Sequence, residues 1–222
     1  LQHGVALLVD AEEYSMQIAT DQVVMDLMRE FNMSKAVVYN TVQLYLVDGN
    51  RRLKQMHNIA TKEGFYLGLK LVRGAYMEKE RKIAQRQGLA SPICITKVET
   101  DMNFNVGVAY CLKHLVNIAV VLGSHNEESV IQAINMMDQH EIKPNDNRVW
   151  FSQLLGMSDY ISFVLSDEGY NVVKFVPFGP MNKLIPYLAR RAEENSAIAG
   201  QTLKELTRLR SELKRRALAN ER

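Results

Sequence analysis

At 222 residues and 47% hydrophobic, the chain can bury one substantial core, so a single domain over residues 1–222 is the expectation. Its 27 Lys+Arg nearly balance 25 Asp+Glu, which argues against a protein built mainly to neutralise nucleic-acid phosphates. No apolar run approaches the roughly 20 residues that span a bilayer, no signal or transit segment opens the chain, and two cysteines, Cys94 and Cys111, make no disulfide framework.

Six short apolar, β-branched runs stand out, each followed by turn residues and then by helical periodicity. They are Val5–Asp10, Ala36–Thr41, Leu67–Arg73, Ile118–Ser124, Arg148–Leu154 and Val172–Val176. Most are near-continuous apolar runs, the pattern of strands covered on both faces. The intervening helices are expected at Glu13–Phe31, Asp48–Glu63, Met77–Gln87, Thr100–Asn117, Glu127–His140, Ser158–Glu168, Met181–Asn195 and Ala199–Ala219. Asn126 is placed to cap the fifth of these.

Repeated β–α alternation implies parallel strands with right-handed crossovers, in an open doubly wound sheet or a (β/α)8 barrel. Asp10, Asn40, Gln43, Lys70, Arg73, His125, Asn126 and Gln153 all fall at or just past the C-terminal ends of different strands. An open sheet gathers ligand groups at one switch point, whereas a barrel draws them from many strand ends. The expectation is an α/β, TIM-type barrel with six βα units, strands 3 to 8, the first two lying upstream of Leu1 in a longer protein.

Asp10 closes an expected buried strand, where a lone carboxylate is costly and must be paired or functional. Glu12 and Glu13 read as capping residues for the helix that follows. Asn40 and Gln43 offer amides that suit either the edge of a heteroaromatic ring or the bracing of a loop. Lys70 and Arg73 are an odd number of residues apart and face opposite sides of a strand. Lys70 shares its face with Val72, assigned to the barrel interior, and Asp10 is its expected counter-charge. A lysine there can be a Schiff-base nucleophile, as in aldolases, or a fixed cation that stabilises negative charge. Arg73 is assigned to the rim, beside a Gly74 whose exposed backbone N–H groups can approach a ligand. His125 reads as an orienting or ring-contacting group, with a plain hydrogen-bonding residue as the alternative, and no second ligand supports a metal there.

In the helix near Pro186, Tyr187, Arg190, Arg191 and Glu194 share one side through i+3 and i+4 spacings. Adjacent arginines make a planar, multi-donor clamp for a small carboxylate. The basic helix at about 199–220 reads as a solvated helix covering the barrel end, with an anionic membrane surface as the alternative.

Taken together, "VDAEE", "KLVRGAY", "SHNEES", "FSQLLGMSD", "VPFGP" and "PYLARRAEEN" occur in the same order as in proline dehydrogenases. The chain resembles the monofunctional, mitochondrial-like members of that family over nearly its whole length. The resemblance implies an FAD-dependent enzyme on a distorted (β/α)8 barrel that oxidises L-proline to Δ1-pyrroline-5-carboxylate and passes electrons to a membrane quinone. By motif, Asp10 and Lys70 match the active-site aspartate and the cation beside the flavin. Tyr187, Arg190 and Arg191 match substrate-binding positions. Asn40 or Gln43, the backbone of Val72, Arg73, Gly74 and Ala75, with Tyr76, His125, Asn126, Gln153 and Glu194, fall where the family contacts FAD. A cytoplasmic chain, peripheral at the inner membrane, or mitochondrial if eukaryotic, is implied, with no nucleic-acid partner. Three departures are legible. Lys70 stands where bifunctional members carry arginine. Phe175 replaces a common tyrosine, which leaves 4-hydroxyproline as the alternative substrate. The early strands, with a lysine near the substrate, lie outside the sequence, so residues 1–222 alone are expected to be inactive.

Overall fold

The computed structural model describes residues 5–197, 206, 207, 210, 211, 213 and 214, leaving out the side chains of residues 183, 190 and 192–197. The expected helix Ala199–Ala219 falls largely outside the described residues.

The order is β1 (Leu7–Val9), α1 (Tyr14–Phe31), β2 (Val38–Gln43), α2 (Gly49–Glu63), β3 (Leu67–Val72), α3 (Met77–Arg86), α4 (Lys97–Lys113), β4 (Ile118–Gly123), α5 (Glu127–Gln139), β5 (Val149–Leu154), α6 (Asp159–Asp167), β6 (Val172–Phe175) and α7 (Met181–Ala197). Local chemistry sets the ends. α2 stops at Gly64, left-handed at φ 79°, whose N–H returns to the Ala60 carbonyl. α4 opens on a reciprocal capping box between Thr96 and Glu99. Asn126 caps α5, its side-chain oxygen accepting from Ser129 N at 3.0 Å. Glu13 precedes α1 without a side-chain cap bond. Its carboxylate is drawn instead to Lys79 at 2.5 Å, so capping is not its role.

The six strands form one sheet in the order β1-β2-β3-β4-β5-β6. Pairing is parallel from β1 through β5, and the register aligns Val9 with Asn40, Thr41 with Lys70, Lys70 with Val121, and Val121 with Trp150. The order never reverses, so the sheet has no topological switch point. This excludes the doubly wound alternative and leaves the barrel winding.

Each face of the sheet has its own chemistry. Leu67, Leu69 and Leu71 of β3 are wholly buried on one face, the apolar side against which α2 and α4 pack, and Leu53, Phe104 and Val108 of those helices are buried with them. On the opposite face Tyr39, Ala119 and Val121 cluster with Ala36 and Trp150. Gly68 makes room there, because a Cβ would lie 2.9 Å from the Tyr39 ring and 2.3 Å from the Val38 carbonyl. The expectation that β1 is buried fails: Leu7 is 53% and Leu8 37% exposed. Among the described residues β1 pairs with β2 alone and is a sheet edge, so its outer side is uncovered.

Contacts group the chain into two compact units, residues 1–153 with 161–173, and residues 154–160 with 174–222. In the second, Leu155 N donates to the Phe175 carbonyl, and Lys174 pairs with Asp159 at 2.6 Å. α7 begins at Met181, as expected, and Pro186 sits inside it. Proline has no N–H to donate at that point in the helix.

Candidate active site

In the first unit, Lys70 projects from the face that carries the Tyr39–Val121 cluster, level with Val121 and one rung beyond Tyr39 and Ala119 in the strand direction. Its Nζ donates to Asp10 Oδ1 at 2.5 Å; the lysine side chain is 13% exposed and the aspartate 51%. Thr41 Oγ1 donates to the Val9 carbonyl at 2.8 Å and approaches Asp10 Oδ1 at 3.5 Å, tying the end of β1 to β2. Val72 stands on the lysine's face, as its spacing required. Both side chains border the space left by Gly123, where a Cβ would lie 3.0 Å from Val72 Cγ1 and 3.6 Å from Lys70 Cε. The result is a cation above an apolar floor, with a counter-ion on one side and its stem packed close to Gly123, which has no side chain to crowd it. Such a cation stabilises negative charge on a bound group more strongly than it would in bulk water.

Asn40 lies in the middle of β2 and Gln43 is its last residue, and both are buried. Their amides are engaged by protein. Asn40 Nδ2 donates to Asp21 at 2.8 Å, and its oxygen accepts from Thr41 N at 3.0 Å. Gln43 Nε2 donates to the Glu12 carbonyl at 2.9 Å and to Gln17 Oε1 at 3.0 Å. Gln17 donates in turn to Asp21, which also pairs with Arg52. These bonds hold α1 and the Asp10–Glu13 segment against β2.

The "RGAY" turn follows β3. Gly74 has φ 135°, and a Cβ there would lie 2.5 Å from ring carbons of Tyr45. The side that glycine leaves open is therefore filled by Tyr45, a buried residue the sequence did not single out. Burial pushes the Tyr45 hydroxyl well above its ordinary pKa, with the Glu80 carboxylate adding to the effect. Ala75 completes the turn, and Tyr76 stands at the N-cap position of α3.

Arg73 does not point outward at the rim. Its Nε donates to Asp101 at 2.6 Å, Nη1 to Ser124 Oγ at 2.8 Å and Nη2 to Ser129 Oγ at 2.9 Å. The guanidinium lies 4.5 Å from the Phe104 ring centroid. Burial pushes the Asp101 carboxyl up, but hydrogen bonds from Lys97 and Arg73 outweigh it and hold the group below its ordinary pKa. The half-buried His125 and Asn126 share the β4–α5 loop with Ser124, whose carbonyl accepts from Gln153 Nε2 at 3.3 Å. Gln153 Oε1 accepts from Ser162 at 2.9 Å. In this unit the structure thus brings Asp10 to Lys70, and Arg73 to the loop that carries His125 and Asn126.

In the second unit, the Phe175 and Tyr187 rings meet edge to face at 6.2 Å, and the Arg191 guanidinium lies 5.2 Å from the Tyr187 centroid. The i+4 spacing of Tyr187 and Arg191 therefore brings the two together. The side chains of Arg190 and Glu194 lie outside the described residues.

Sequential parallel strands with polar groups at their C-terminal ends define a (β/α)-barrel protein of the TIM type. Residues 1–204 match the family profile described as proline dehydrogenase, and the chain belongs to that family. It is 41% identical to human "Proline dehydrogenase 1, mitochondrial" over 96% of this chain and 36% of that protein. It is 39% identical to "Hydroxyproline dehydrogenase" of Xenopus laevis over 96% of this chain and 46% of that protein. A crystal structure of proline utilization A (PutA) from Bdellovibrio bacteriovorus, inactivated by N-propargylglycine, superposes with a TM-score of 0.83 at 28% identity. The superposition covers 89% of this chain and 21% of that one. The chain thus spans less than half the length of these curated relatives.

Proposed function

We propose that the protein containing this chain is an FAD-dependent proline dehydrogenase that oxidises L-proline to Δ1-pyrroline-5-carboxylate. The observation that carries this is the Lys70–Asp10 pair over an apolar floor at the strand ends. The fit with a flavin rests on that apolar floor and on the fixed cation beside it. When bound, FAD supplies the two-electron acceptor for the hydride leaving the ring carbon next to nitrogen. The chain's own groups do the rest. Lys70 supplies positive charge where a reduced ring gathers negative charge, and Asp10 holds the ammonium in place. Arg190 and Arg191 grip the substrate carboxylate, with Tyr187 packed beside Arg191. Val72, Gly74, Ala75, Tyr76, His125, Asn126, Gln153 and Glu194 belong to the cofactor's surroundings. Asn40 and Gln43 serve it by bracing α1 against β2.

A membrane quinone is the proposed electron acceptor, reached from a peripheral position. No helix among the described residues is long and apolar enough to cross a membrane. The test is the absorption spectrum of the full-length protein before and after L-proline. Bleaching of a flavin band is expected, and a colourless protein or an unbleached band rejects the proposal. The Schiff-base aldolase alternative predicts that borohydride traps substrate on Lys70, which the flavoenzyme reading forbids. Oxidation of trans-4-hydroxy-L-proline is a second reading, favoured by Phe175 beside Tyr187 and by the likeness to the Xenopus protein. Comparing turnover on the two imino acids decides between them.

A further inference from the structure

We infer that Arg73 is a positioning residue for the cofactor loop, acting through Ser124, Asn126 and Ser129 rather than by touching the ligand. The inference rests on the proposed flavoenzyme function. All three guanidinium nitrogens already donate to protein oxygens, and one face of the group lies over Phe104. Three of its five N–H donors are thus committed to a carboxylate and two hydroxyls, one on each side of the loop's turn, and swinging the fork onto a ligand would break those bonds.

Those hydroxyls belong to the residues that shape the loop. Ser124 Oγ accepts from Arg73 and also from Asn126 N at 3.1 Å. Ser129 accepts from Arg73 through its side chain, and its backbone N–H donates to Asn126 Oδ1 at 3.0 Å. Asn126 is thereby held at both its backbone and its side chain by two serines that one guanidinium spans. Asp101 on α4 holds the guanidinium from behind and is itself paired with Lys97 at 2.5 Å. A planar fork can address three acceptors at fixed angles, whereas a lysine ammonium lacks that geometry.

The experiment uses the full-length protein and its variants Arg73→Gln, Arg73→Lys, Asp101→Asn and Ser129→Ala. The readouts are FAD dissociation constants from flavin fluorescence and amide hydrogen exchange of residues 123–130 without FAD. Arg73→Gln is expected to weaken FAD binding about tenfold or more and to speed exchange at Asn126 and Ser129. Arg73→Lys should fall between it and wild type. Asp101→Asn and Ser129→Ala should each weaken binding several-fold but add little on top of Arg73→Gln, the non-additivity of groups acting as one unit. Two results overturn the inference: FAD binding lost in Arg73→Gln alone with exchange unchanged, which marks direct contact, or exchange raised with FAD affinity unmoved, which marks a purely structural clamp. If wild type binds no FAD, the proposed function fails. Faster exchange confined to the loop would then still support the clamp, and unchanged exchange would reject it.

Discussion

Replacing Asn32 with alanine should cost more stability than any nearby surface change. Asn32 is wholly buried at the end of α1 and uses its amide completely. Its Nδ2 donates to the carbonyls of Val38 and Tyr66, and its Oδ1 accepts from Val37 N and Val38 N, all four at 2.9 Å. One side chain thus joins the exit of α1 to the entrances of β2 and β3. Asn32→Ala breaks all four bonds with no replacement partner. At about 1–2 kcal/mol for each of the two buried bonds and about 0.5 for each partly buried one, the loss is about 3–5 kcal/mol. That is a large share of the roughly 5–15 kcal/mol typical of a folded domain. With a urea dependence of about 2 kcal/mol per molar, the midpoint should fall by about 1.5–2.5 M. Asn32→Asp keeps the two acceptor bonds but turns an oxygen toward both carbonyls, so it should not rescue. Urea denaturation of the full-length protein, followed by circular dichroism, provides the assay. A loss below about 1 kcal/mol for Asn32→Ala would refute the reasoning, because it would mean that water or a shifted backbone satisfies the four groups at little cost.

Other expectations follow from the same kind of accounting. His57 is buried, with Nδ1 at 2.7 Å from the Tyr110 hydroxyl and Nε2 at 2.8 Å from Asn117 Oδ1, an arrangement that satisfies the neutral ring. Burial holds its pKa below the ordinary histidine value, with the neighbouring His114 adding to the effect and the Asn117 hydrogen bond opposing it. The unfolded chain therefore takes up this proton at a higher pH than the folded one. The contribution is complete above about pH 6.5 and is lost as the pH falls below it. Urea midpoints at pH 7.5 and 5.5 should show that slope in wild type and a shallower one in His57→Gln; equal slopes would count against it. Arg191→Met should raise KM for proline roughly a hundredfold with a smaller change in kcat, and steady-state kinetics that showed the reverse split would remove Arg191 from substrate binding. Phe175→Tyr should shift the kcat/KM ratio toward proline over trans-4-hydroxy-L-proline by roughly tenfold, and an unchanged ratio would clear that ring of any role in the choice.

The architecture was largely legible because its signals are local. Each apolar run recovered its strand with small errors, such as Ala36–Thr41 for the observed Val38–Gln43. The two-residue offset mattered, since it moved Gln43 from past the strand's end to its last position and Asn40 away from that end. Lys70 and its counter-charge were also legible, because strand periodicity fixes the face and Asp10 follows β1, the next strand but one. What stayed hidden depends on partners distant in sequence. The direction of Arg73 is decided by Asp101, Phe104, Ser124 and Ser129, none of which its own strand reveals. Asn32 looks like any polar residue after a helix, because its four partner groups lie at the entrances of two later strands. The exposure of β1 was missed because apolar composition does not distinguish an edge strand from a central one.

The ring of Tyr45 pressed on Gly74 carries a lesson for anyone recombining segments of related barrels. A crossover between these two positions separates a large aromatic side chain from the glycine that admits it, although each parent segment is sound in its own context. The β2 end and the turn after β3 should therefore be inherited as one block. A chimera that keeps Tyr45 but receives a side chain at position 74 must reshape the turn leading from Lys70 to α3 before it can reproduce either parent.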